Sequence, residues 1–484
     1  MNYKMICRVL SLVLLIEAGL LLIPIAVALI YGESAEPFLY TILLISAAAL
    51  PIRFIRITNK RIYAKEGFVT VALSWIILSA FGALPFVFSG AIPNYIDAFF
   101  ETVSGFTTTG ASIIPNGCIE SMPRGILFWR SFTHWIGGMG ILVFMLAILP
   151  DSEGNVIHLM RAEVPGPQKG KLVPRLRESS LILYAIYIIL TVLETVALLI
   201  AGLPLYDSLV TTFGTVGTGG FSVLNDSIAG YANPAAEWII AIFLFLSAIN
   251  YNIYFFILIK KFSEIKKNEE LKVYIAITFT STVIIAINLW NTFKSIGGVG
   301  VGKCIRDAFF QVTSIISTAG FCTLDLNALP NLSKMVILFL MMIGACSGST
   351  AGGLKISRFL IILKSTRREI RKFFKPNSVR TISLDGNTLD EPTVKSSVSY
   401  LSVFIILLLT STVLISFEGK DMVTTITSVL TCFNNVGPGF NDAVGSFADF
   451  SYFSKIVFSL DMLFGRLEII PMLVLFSPST WSRG

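Results

Sequence analysis

Asp97–Gly110 reads DAFFETVSGFTTTG, and the chain carries three further segments of the same kind. They are Asp207–Gly220 (DSLVTTFGTVGTGG), Asp307–Gly320 (DAFFQVTSIISTAG) and Asp421–Gly437 (DMVTTITSVLTCFNNVG). The spacing from the Asp to the final Gly is identical in the first three copies and longer in the fourth. The final glycines recur at similar, long intervals along the chain, so the period is that of a structural unit.

Each copy predicts the same local structure. The Asp is expected to cap a short helix and to lie favourably at its N-terminal dipole. The helix then runs into Thr, Ser, Asn and Gly, which form helices poorly and permit extended or left-handed backbone. Four such segments around one axis would form rings of carbonyl oxygens, which replace the water shell of a dehydrated cation. The alternative is four ordinary polar turns, but four copies in register between apolar segments favour the rings.

The composition indicates a membrane protein that crosses the bilayer several times. Of 484 residues, 54% are hydrophobic and only 14% are charged, which is far from soluble composition. The six Cys and two His show no spacing typical of a zinc site or a disulfide framework. No nucleophile triad or phosphate loop is present, so the chain is not expected to be an enzyme. The net charge of +7 follows from membrane topology, and no nucleic-acid partner is expected.

The predicted fold class is an all-α polytopic membrane protein. Two N-terminal transmembrane helices, over Val9–Tyr31 and Pro37–Ile52, precede four pseudo-symmetric helix–pore loop–helix repeats around one central pore. The eight helices of the repeats complete ten predicted spans, and they cover 67–89, 125–149, 179–203, 235–259, 271–290, 333–374, 395–417 and 454–476. The predicted units are 1–66 for the N-terminal pair, then 67–178, 179–270, 271–394 with an intramembrane gating loop, and 395–484.

The distribution of Lys and Arg residues predicts how the chain is oriented in the membrane. Most of the 37 Lys and Arg residues fall on one side of this topology, which the positive-inside rule makes cytoplasmic together with the N-terminus. They lie at Lys4 and Arg8 and in the loops 51–66, 151–179, 260–272 and 355–380. On the other side lie seven carboxylates that either concentrate cations near the pore mouth or are simply solvated. They are Glu33, Glu36, Glu120, Asp226, Asp325, Asp442 and Asp449.

A glycine-rich run interrupts the inner helix of the third repeat. It comprises Gly344, Ala345, Cys346, Ser347, Gly348, Ser349, Thr350, Ala351, Gly352 and Gly353. A Gly costs roughly 1 kcal/mol relative to Ala inside a helix, so four of them predict local unwinding beside a water-filled vestibule. The prediction is a mobile constriction, or gate. The alternative is close helix packing through small residues.

Four ionisable residues within apolar segments raise further hypotheses. Arg466 is expected to face the protein interior or water. It is either a fixed positive charge below the filter that meets the gating loop, or a structural partner of Glu468 or of a carbonyl group near the interface. His134, four residues after Arg130, is expected to be a hydrogen-bonded packing residue. Glu17 and Glu194 are isolated acids, which either relay protons in a coupled carrier or are buried and hydrogen-bonded.

The arrangement resembles the Trk/Ktr/HKT superfamily of potassium transporters, and the two extra N-terminal spans resemble its TrkH-type family of membrane subunits. The most specific pieces are the runs 105–111, 218–221, 317–321 and 434–439, with 130–140, 344–355 and 464–466. The resemblance implies passage of potassium or sodium, a homodimer, and a cytoplasmic nucleotide-binding regulatory subunit of the TrkA type. The family's intramembrane gating loop matches the position of the run at 344–353.

The predicted function is potassium uptake across the bacterial inner membrane, with K⁺ as the transported ion and no cofactor in this chain. The ion is expected to bind to backbone carbonyls rather than to side chains. The assigned carbonyls are those of Thr108, Thr109, Gly110, Thr218, Gly219, Gly220, Thr318, Ala319, Gly320, Asn435, Val436 and Gly437. The alternatives are a sodium-permeable or sodium-coupled Ktr-like transporter and a proton-coupled secondary carrier. The basic helix end at Lys364–Lys375 is expected to contact membrane lipid or the regulatory subunit.

Overall fold

A computed structural model describes residues 1–55, 63–140, 176–294, 300–377 and 380–481 of the chain. Within these ranges the protein is helical apart from one hairpin of two short strands, Ser383–Leu384 and Asn387–Thr388. Three parts of the sequence predictions lie outside the described residues. They are the basic residues Arg56, Lys60 and Arg61, most of the loop 151–179, and the end of the span predicted over 125–149.

The N-terminal part and the first two repeats supply twelve helices within the described ranges. The N-terminal helices are α1 (Tyr3–Leu20), α2 (Leu22–Ile30) and α3 (Glu36–Arg53). The next four are α4 (Ala64–Gly82), α5 (Leu84–Phe88), α6 (Tyr95–Phe106) and α7 (Arg124–Met139). They are followed by α8 (Leu176–Ile200), α9 (Leu205–Val216), α10 (Pro234–Ser247), α11 (Tyr251–Leu258) and the connecting α12 (Phe262–Lys267).

The third and fourth repeats continue the same order of elements. The third contains α13 (Glu269–Lys294), α14 (Val301–Ile316), α15 (Asn331–Ile343), α16 (Ile356–Phe374) and then the hairpin. The fourth contains α17 (Glu391–Ile415), α18 (Met422–Phe433), α19 (Tyr452–Arg466), α20 (Ile470–Phe476) and α21 (Pro478–Trp481). Single 3₁₀ turns lie at Ile119–Ser121, Ser227–Tyr231, Leu326–Ala328, Ser416–Glu418 and Asn441–Ala443.

Six apolar helical stretches within the described residues are long enough to cross a membrane. They are Tyr3–Ile30, Glu36–Arg53, Ala64–Phe88, Ser180–Ile200, Glu269–Thr292 and Glu391–Glu418. Two belong to the N-terminal part, and each of the other four precedes one of the four sequence copies, as the predicted repeats require. The prediction of a mostly helical protein with several membrane-spanning helices is therefore confirmed.

The inner helices are less regular than the sequence predicts. In the second repeat α10 and α11 meet at 89°, at a break where Asn250 caps α11. In the third repeat α15 ends before Gly344, which has a φ of 68°, as the glycine-rich run predicts. In the fourth repeat α19 and α20 are separated at Glu468 and Ile469, with φ values of 55° and 65°. The prediction of a continuous inner span is therefore wrong for the second and fourth repeats.

The N-terminal helices are fixed to the first repeat. α1 packs against α3 and α4, and α2 packs against α7. Glu33, in the turn after α2, accepts the backbone N–H groups of Arg124 at 2.6 Å and Gly125 at 2.8 Å. These are two of the amide groups that a helix N-terminus leaves without an internal partner, so Glu33 caps α7 from outside the repeat.

The short helices α6, α9, α14 and α18 are the buried centre of the protein. Val103, Val216, Ile315 and Phe433 are each at most 1% exposed, whereas the outer helices carry many exposed apolar side chains. Each short helix ends four residues before the final glycine of its sequence copy. The first three sequence copies therefore begin in these helices and the fourth begins at the residue before its helix, and all four end just beyond them.

The predicted capping role of the Asp is correct only for Asp421. Its carboxylate accepts the N–H groups of Val423 and Thr424, both at 3.1 Å. In the first copy Asn94 is the cap, whereas Asp97 is the third residue of α6. Asp207 is likewise the third residue of α9, and Asp307 is the seventh residue of α14.

The cap positions also explain the spacing of the fourth copy. Asn94, Pro204 and Asp421 precede α6, α9 and α18 directly, and the distance in sequence from each of them to the final glycine of its copy is the same. The greater length of the fourth copy, counted from its Asp, therefore reflects an Asp at a different helix position. Counted from the residue before the helix to the final glycine, the first, second and fourth copies have the same length.

Replacing Asp421 by Ala should destabilise the protein by about 1 kcal/mol, because two amide groups lose their cap. Hydrogen bonds from the Thr424 hydroxyl and N–H groups lower the pKa of Asp421 below its ordinary value. The contribution should therefore be present at neutral pH and should be lost only below about pH 4. SDS titration of wild type and Asp421→Ala at pH 7, 5 and 3 measures it, with Asp449→Ala as a control at an exposed site. Equal stability of wild type and Asp421→Ala at pH 7 would contradict the capping role.

Candidate functional site

The candidate site consists of four stretches that end on the repeated glycines. We call them the glycine segments, and they are Thr108–Gly110, Thr218–Gly220, Thr318–Gly320 and Asn435–Gly437. The first residue of each segment has a positive φ of 55° to 59°. The final Gly also has a positive φ, between 78° and 101°. The same backbone shape therefore recurs four times, although the side chains differ.

The amide groups of these segments bond back to the short helices. The N–H of Thr109 donates to the carbonyl of Ser104 at 2.9 Å, and the other three middle residues make the equivalent bond at 2.7 to 2.9 Å. This is the hydrogen bond that closes a helix whose end turns left-handed. Because the N–H groups are paired within their own unit, the carbonyl groups of the segments are directed away from the helix.

The four segments meet one another in a closed order. None of the four final glycines has room for a Cβ atom, because a backbone carbonyl oxygen of another segment occupies that position. The pairs of glycine and carbonyl residue are Gly110 with Gly219, Gly220 with Ala319, Gly320 with Val436, and Gly437 with Thr109. Each segment thus contacts the next, and the fourth contacts the first. A Cβ on Gly110 would also lie 3.5 Å from the carbonyl oxygen of Ala319 in the opposite segment, so the ring is narrow.

Side chains of the segments are occupied in lateral contacts. The Thr109 hydroxyl bonds to that of Thr107 at 2.7 Å and accepts the Asn435 amide at 2.9 Å. The same amide group donates to the Met462 carbonyl at 2.9 Å. The Thr318 hydroxyl accepts the N–H of Gly352 at 2.7 Å. The side chains therefore hold the segments in place.

A buried ion pair that the sequence analysis missed supports the first two segments. Glu101 of α6 accepts Arg130 Nε at 2.5 Å and the N–H of Ile113 at 2.7 Å. Arg130 also donates to the carbonyl of Ser222 at 2.9 Å, and its guanidinium carbon lies 3.6 Å from the centre of the Phe221 ring. Both charged groups are at most 2% exposed. The pair therefore connects the residues that follow the first glycine segment to the residues that follow the second.

His134 is hydrogen-bonded on both ring nitrogens. Its Nε2 accepts the N–H of Phe221 at 3.2 Å, so Nδ1 carries the ring proton and donates to the Gly105 carbonyl at 2.7 Å. The ring fills the position that a Cβ on Gly219 would take. This geometry favours the packing role over a proton relay.

The run Gly344–Gly353 forms a buried loop below the glycine segments. The loop lies between α15 and α16, and its backbone forms hydrogen bonds with the bend between α10 and α11. The Cys346 N–H donates to the Ala248 carbonyl at 3.2 Å, and the Gly348 carbonyl accepts the Tyr251 N–H at 3.1 Å. Ala345 and Cys346 are fully buried. The break in the second inner helix, which the sequence did not indicate, therefore supplies the polar groups that an unwound loop needs.

Arg466 joins the loop to the first repeat. Its guanidinium donates to the carbonyls of Thr350 at 2.7 Å, Gly137 at 2.5 Å and Gly138 at 2.7 Å, and to the Thr108 hydroxyl at 3.4 Å. Of the two alternative partners considered from the sequence, Glu468 instead pairs with Arg358 at 2.5 Å, whereas carbonyl groups do bind Arg466. The positive charge of Arg466 thus lies directly between a glycine segment and the loop.

The remaining acids lie outside this site. Glu17 packs against Gly82, behind α6, and Glu194 lies beside Thr215 on the outer side of α9. Glu120 accepts the Asn225 N–H at 3.1 Å, and Asp442 pairs with Lys420 at 3.3 Å. These contacts, like the cap formed by Glu33, give Glu120 and Asp442 structural roles.

Comparison with known proteins gives one consistent result. A family model described as "TrkH: Cation transport protein" matches residues 36–483. The chain is 36% identical to the Trk system potassium uptake protein TrkH of Escherichia coli (strain K12) over 489 residues, which cover 99% of this chain and 100% of the relative. It is 32% identical to the protein of that name from Halomonas elongata, with full coverage of both chains. The crystal structure of the potassium transporter TrkH from Vibrio parahaemolyticus matches with a TM-score of 0.88, 31% identity and full coverage of both chains.

Replacing Glu101 by Gln should destabilise the protein by about 3–5 kcal/mol, because Arg130 is left as an uncompensated buried charge. Adding Arg130→Met should recover part of this loss, because no unpaired charge remains. SDS titration of both variants measures the effect, and Glu36→Gln at an exposed position serves as the control. A Glu101→Gln variant as stable as the control would show that the pair does not support the segments.

Proposed function

The chain belongs to the TrkH family of cation transport proteins, and from that premise we propose that it takes up potassium through a filter of backbone carbonyls. The relatives compared above are named as potassium uptake proteins or as a potassium transporter. The observation that carries the proposal is the closed ring in which each final glycine faces a carbonyl oxygen of another segment.

The chemistry of the ring suits a dehydrated monovalent cation. Such an ion loses its water shell on entry, and rings of carbonyl oxygens replace that shell at little electrostatic cost. The N–H groups of the first two residues of each segment are already paired with their own helix, so the oxygens do not need to rearrange when the ion binds. We assign the twelve carbonyls of the glycine segments, from Thr108 to Gly437, as the filter.

The passage below the filter is proposed to be gated. The loop at 344–353 reaches the glycine segments through the Gly352 N–H and reaches Arg466 through the Thr350 carbonyl. A fixed positive charge at that point opposes a cation by Coulomb repulsion, which is strong in a buried, low-dielectric environment. Ion passage therefore requires that the loop and the Arg466 guanidinium separate or shift sideways.

The surroundings support an inner-membrane protein with a cytoplasmic partner. The basic face of α16 carries Arg371 and Lys372 in its last turn, and Phe373 and Phe374 beside them are 87% and 82% exposed. Basic and aromatic groups together suit an anionic lipid surface or a protein partner. We propose that the C-terminal end of α16 is cytoplasmic, like the N-terminus of the chain, and that it binds the nucleotide-binding regulatory subunit. We also propose that the protein is a homodimer.

Replacing Gly220 by Ala should reduce potassium flux at least tenfold, because the new Cβ has no space beside the Ala319 carbonyl. Gly419→Ala is the matched control, since Gly419 also has a positive φ, of 72°, but nothing lies within 4 Å of its Cβ position. Both variants carry the same strain of roughly 1–2 kcal/mol from left-handed backbone. Only the first one obstructs the ring.

The measurement is K⁺, Rb⁺ and Na⁺ flux into liposomes that contain each purified variant, together with potassium-limited growth of a transport-deficient strain. We expect the wild type to pass K⁺ and Rb⁺ in preference to Na⁺ and the Gly419→Ala variant to match it. Equal flux through Gly220→Ala and Gly419→Ala would remove the ring from the ion pathway. A wild type that passes Na⁺ as well as K⁺ would overturn the potassium assignment in favour of sodium permeability.

A further inference from the structure

One carboxylate from the outer helix of the third repeat holds the base of the loop. Glu270 is the second residue of α13 and is only 5% exposed. Its Oε1 accepts the backbone N–H of Ser347 at 2.7 Å and that of Ser357 at 3.1 Å. Ser347 precedes the part of the loop that approaches the glycine segments, and Ser357 follows it. Glu270 Oε1 therefore holds the two ends of this part of the loop together. The hydroxyl groups of Ser347 and Ser357 also bond to each other.

The chain offers these two amide groups few other partners. Ser357 lies in the first turn of α16, where helix N–H groups have no internal acceptor, and Lys355 before it makes no side-chain cap. A carboxylate is the most favourable acceptor there, because it is charged and faces the positive end of the helix dipole. Loss of Glu270 would leave two buried N–H groups to find new partners, which requires the loop to move.

The tip of the loop is bound to the ion pathway by different contacts. Arg466 donates to the Thr350 carbonyl at 2.7 Å, and the Gly352 N–H donates to the Thr318 hydroxyl at 2.7 Å. The tip contacts must break when a cation passes. The tip and the base of the loop are therefore held by different residues.

The same helix end is attached to the hairpin at 383–388. The N–H of Glu269 donates to Asp385 Oδ1 at 2.8 Å, and the Asn268 amide donates to Asp385 Oδ2 at 3.3 Å. Lys364 of α16 donates to the Ser383 carbonyl at 2.8 Å and also pairs with Glu269. The hairpin, the first turn of α13 and the base of the loop are therefore adjacent and linked by hydrogen bonds.

We propose that Glu270 is the positioning residue that holds the loop across the ion pathway, and that the hairpin acts on the loop through the first turn of α13. The inference rests on the proposed function, because it assigns the control of the same pathway. Movement of the hairpin away from α13 shifts Glu270, releases Ser347 and Ser357, and lets the loop withdraw from the glycine segments.

The first test is cation flux in liposomes that contain the full-length protein alone. Glu270→Ala should raise Rb⁺ flux at least tenfold over wild type. Glu270→Gln should raise it less, because an amide oxygen still accepts hydrogen bonds but carries no charge. Asp385→Ala, which frees the hairpin, should also raise it. Glu264→Gln, an exposed carboxylate on the neighbouring α12, is the matched control and should equal wild type.

The second test does not depend on ion transport. Cys346 lies in the loop and is fully buried, so its modification by a small cationic methanethiosulfonate reports loop opening. With Cys7, Cys118 and Cys322, which are not fully buried, replaced by Ser, the modification rate should rise at least tenfold in Glu270→Ala. The rate in Glu264→Gln should stay at the wild-type value.

The two tests separate this inference from the proposed function. Faster modification of Cys346 in Glu270→Ala, without cation flux in any variant or in wild type, would keep the role of Glu270 and overturn the transport proposal. Normal wild-type flux, with flux and modification both unchanged in Glu270→Ala, would overturn the role of Glu270. Gel filtration in detergent checks whether each variant folds. If Glu270→Ala does not fold, then flux and Cys346 modification that are both at wild-type values in Glu270→Gln overturn the role of Glu270 in the same way.

Discussion

The structure depends on one constraint of backbone hydrogen bonding in a buried environment. A buried amide or carbonyl group needs a partner, yet the glycine segments direct carbonyls away from their helices and towards one another. They do so because each left-handed turn returns its N–H groups to the short helix. The carbonyl oxygens then crowd the position of each final glycine, so a side chain has no space there. On our proposal, the potassium ion is the missing partner of these oxygens.

Much of the remaining structure keeps those segments in place. The pair of Glu101 and Arg130 fixes the chain on the outer side of the first two segments, and His134 fills the space beneath Gly219. The second inner helix is broken at Asn250, where the loop bonds to its backbone. Because a buried ion pair rarely adds stability by itself, the presence of Glu101 and Arg130 here is best understood as positioning.

The sequence predicted the features that have a local chemical signal. The repeated glycines, the unwound run at 344–353 and the apolar outer helices all follow from composition and spacing. The Asp caps were wrong in three copies, where Asn94, Pro204 and Gly300 precede the helices. Asn caps a helix as well as Asp does, and the other two helices begin without a side-chain cap. The break at Glu468 and Ile469 has no local signal, since neither residue favours a positive φ. Contacts such as those of Glu101 with Arg130 and Glu270 with Ser347 join distant parts of the chain, and one sequence does not show them.

The most direct test of the carbonyl filter is crystallographic. Crystals of the protein soaked in Rb⁺ or Tl⁺ would give anomalous scattering at each bound ion. The carbonyl filter predicts at least one peak on the common axis of the glycine segments, within coordination distance of carbonyl oxygens from all four. Ordered ions that lie only elsewhere, for example beside Glu17 or Glu194, would contradict it.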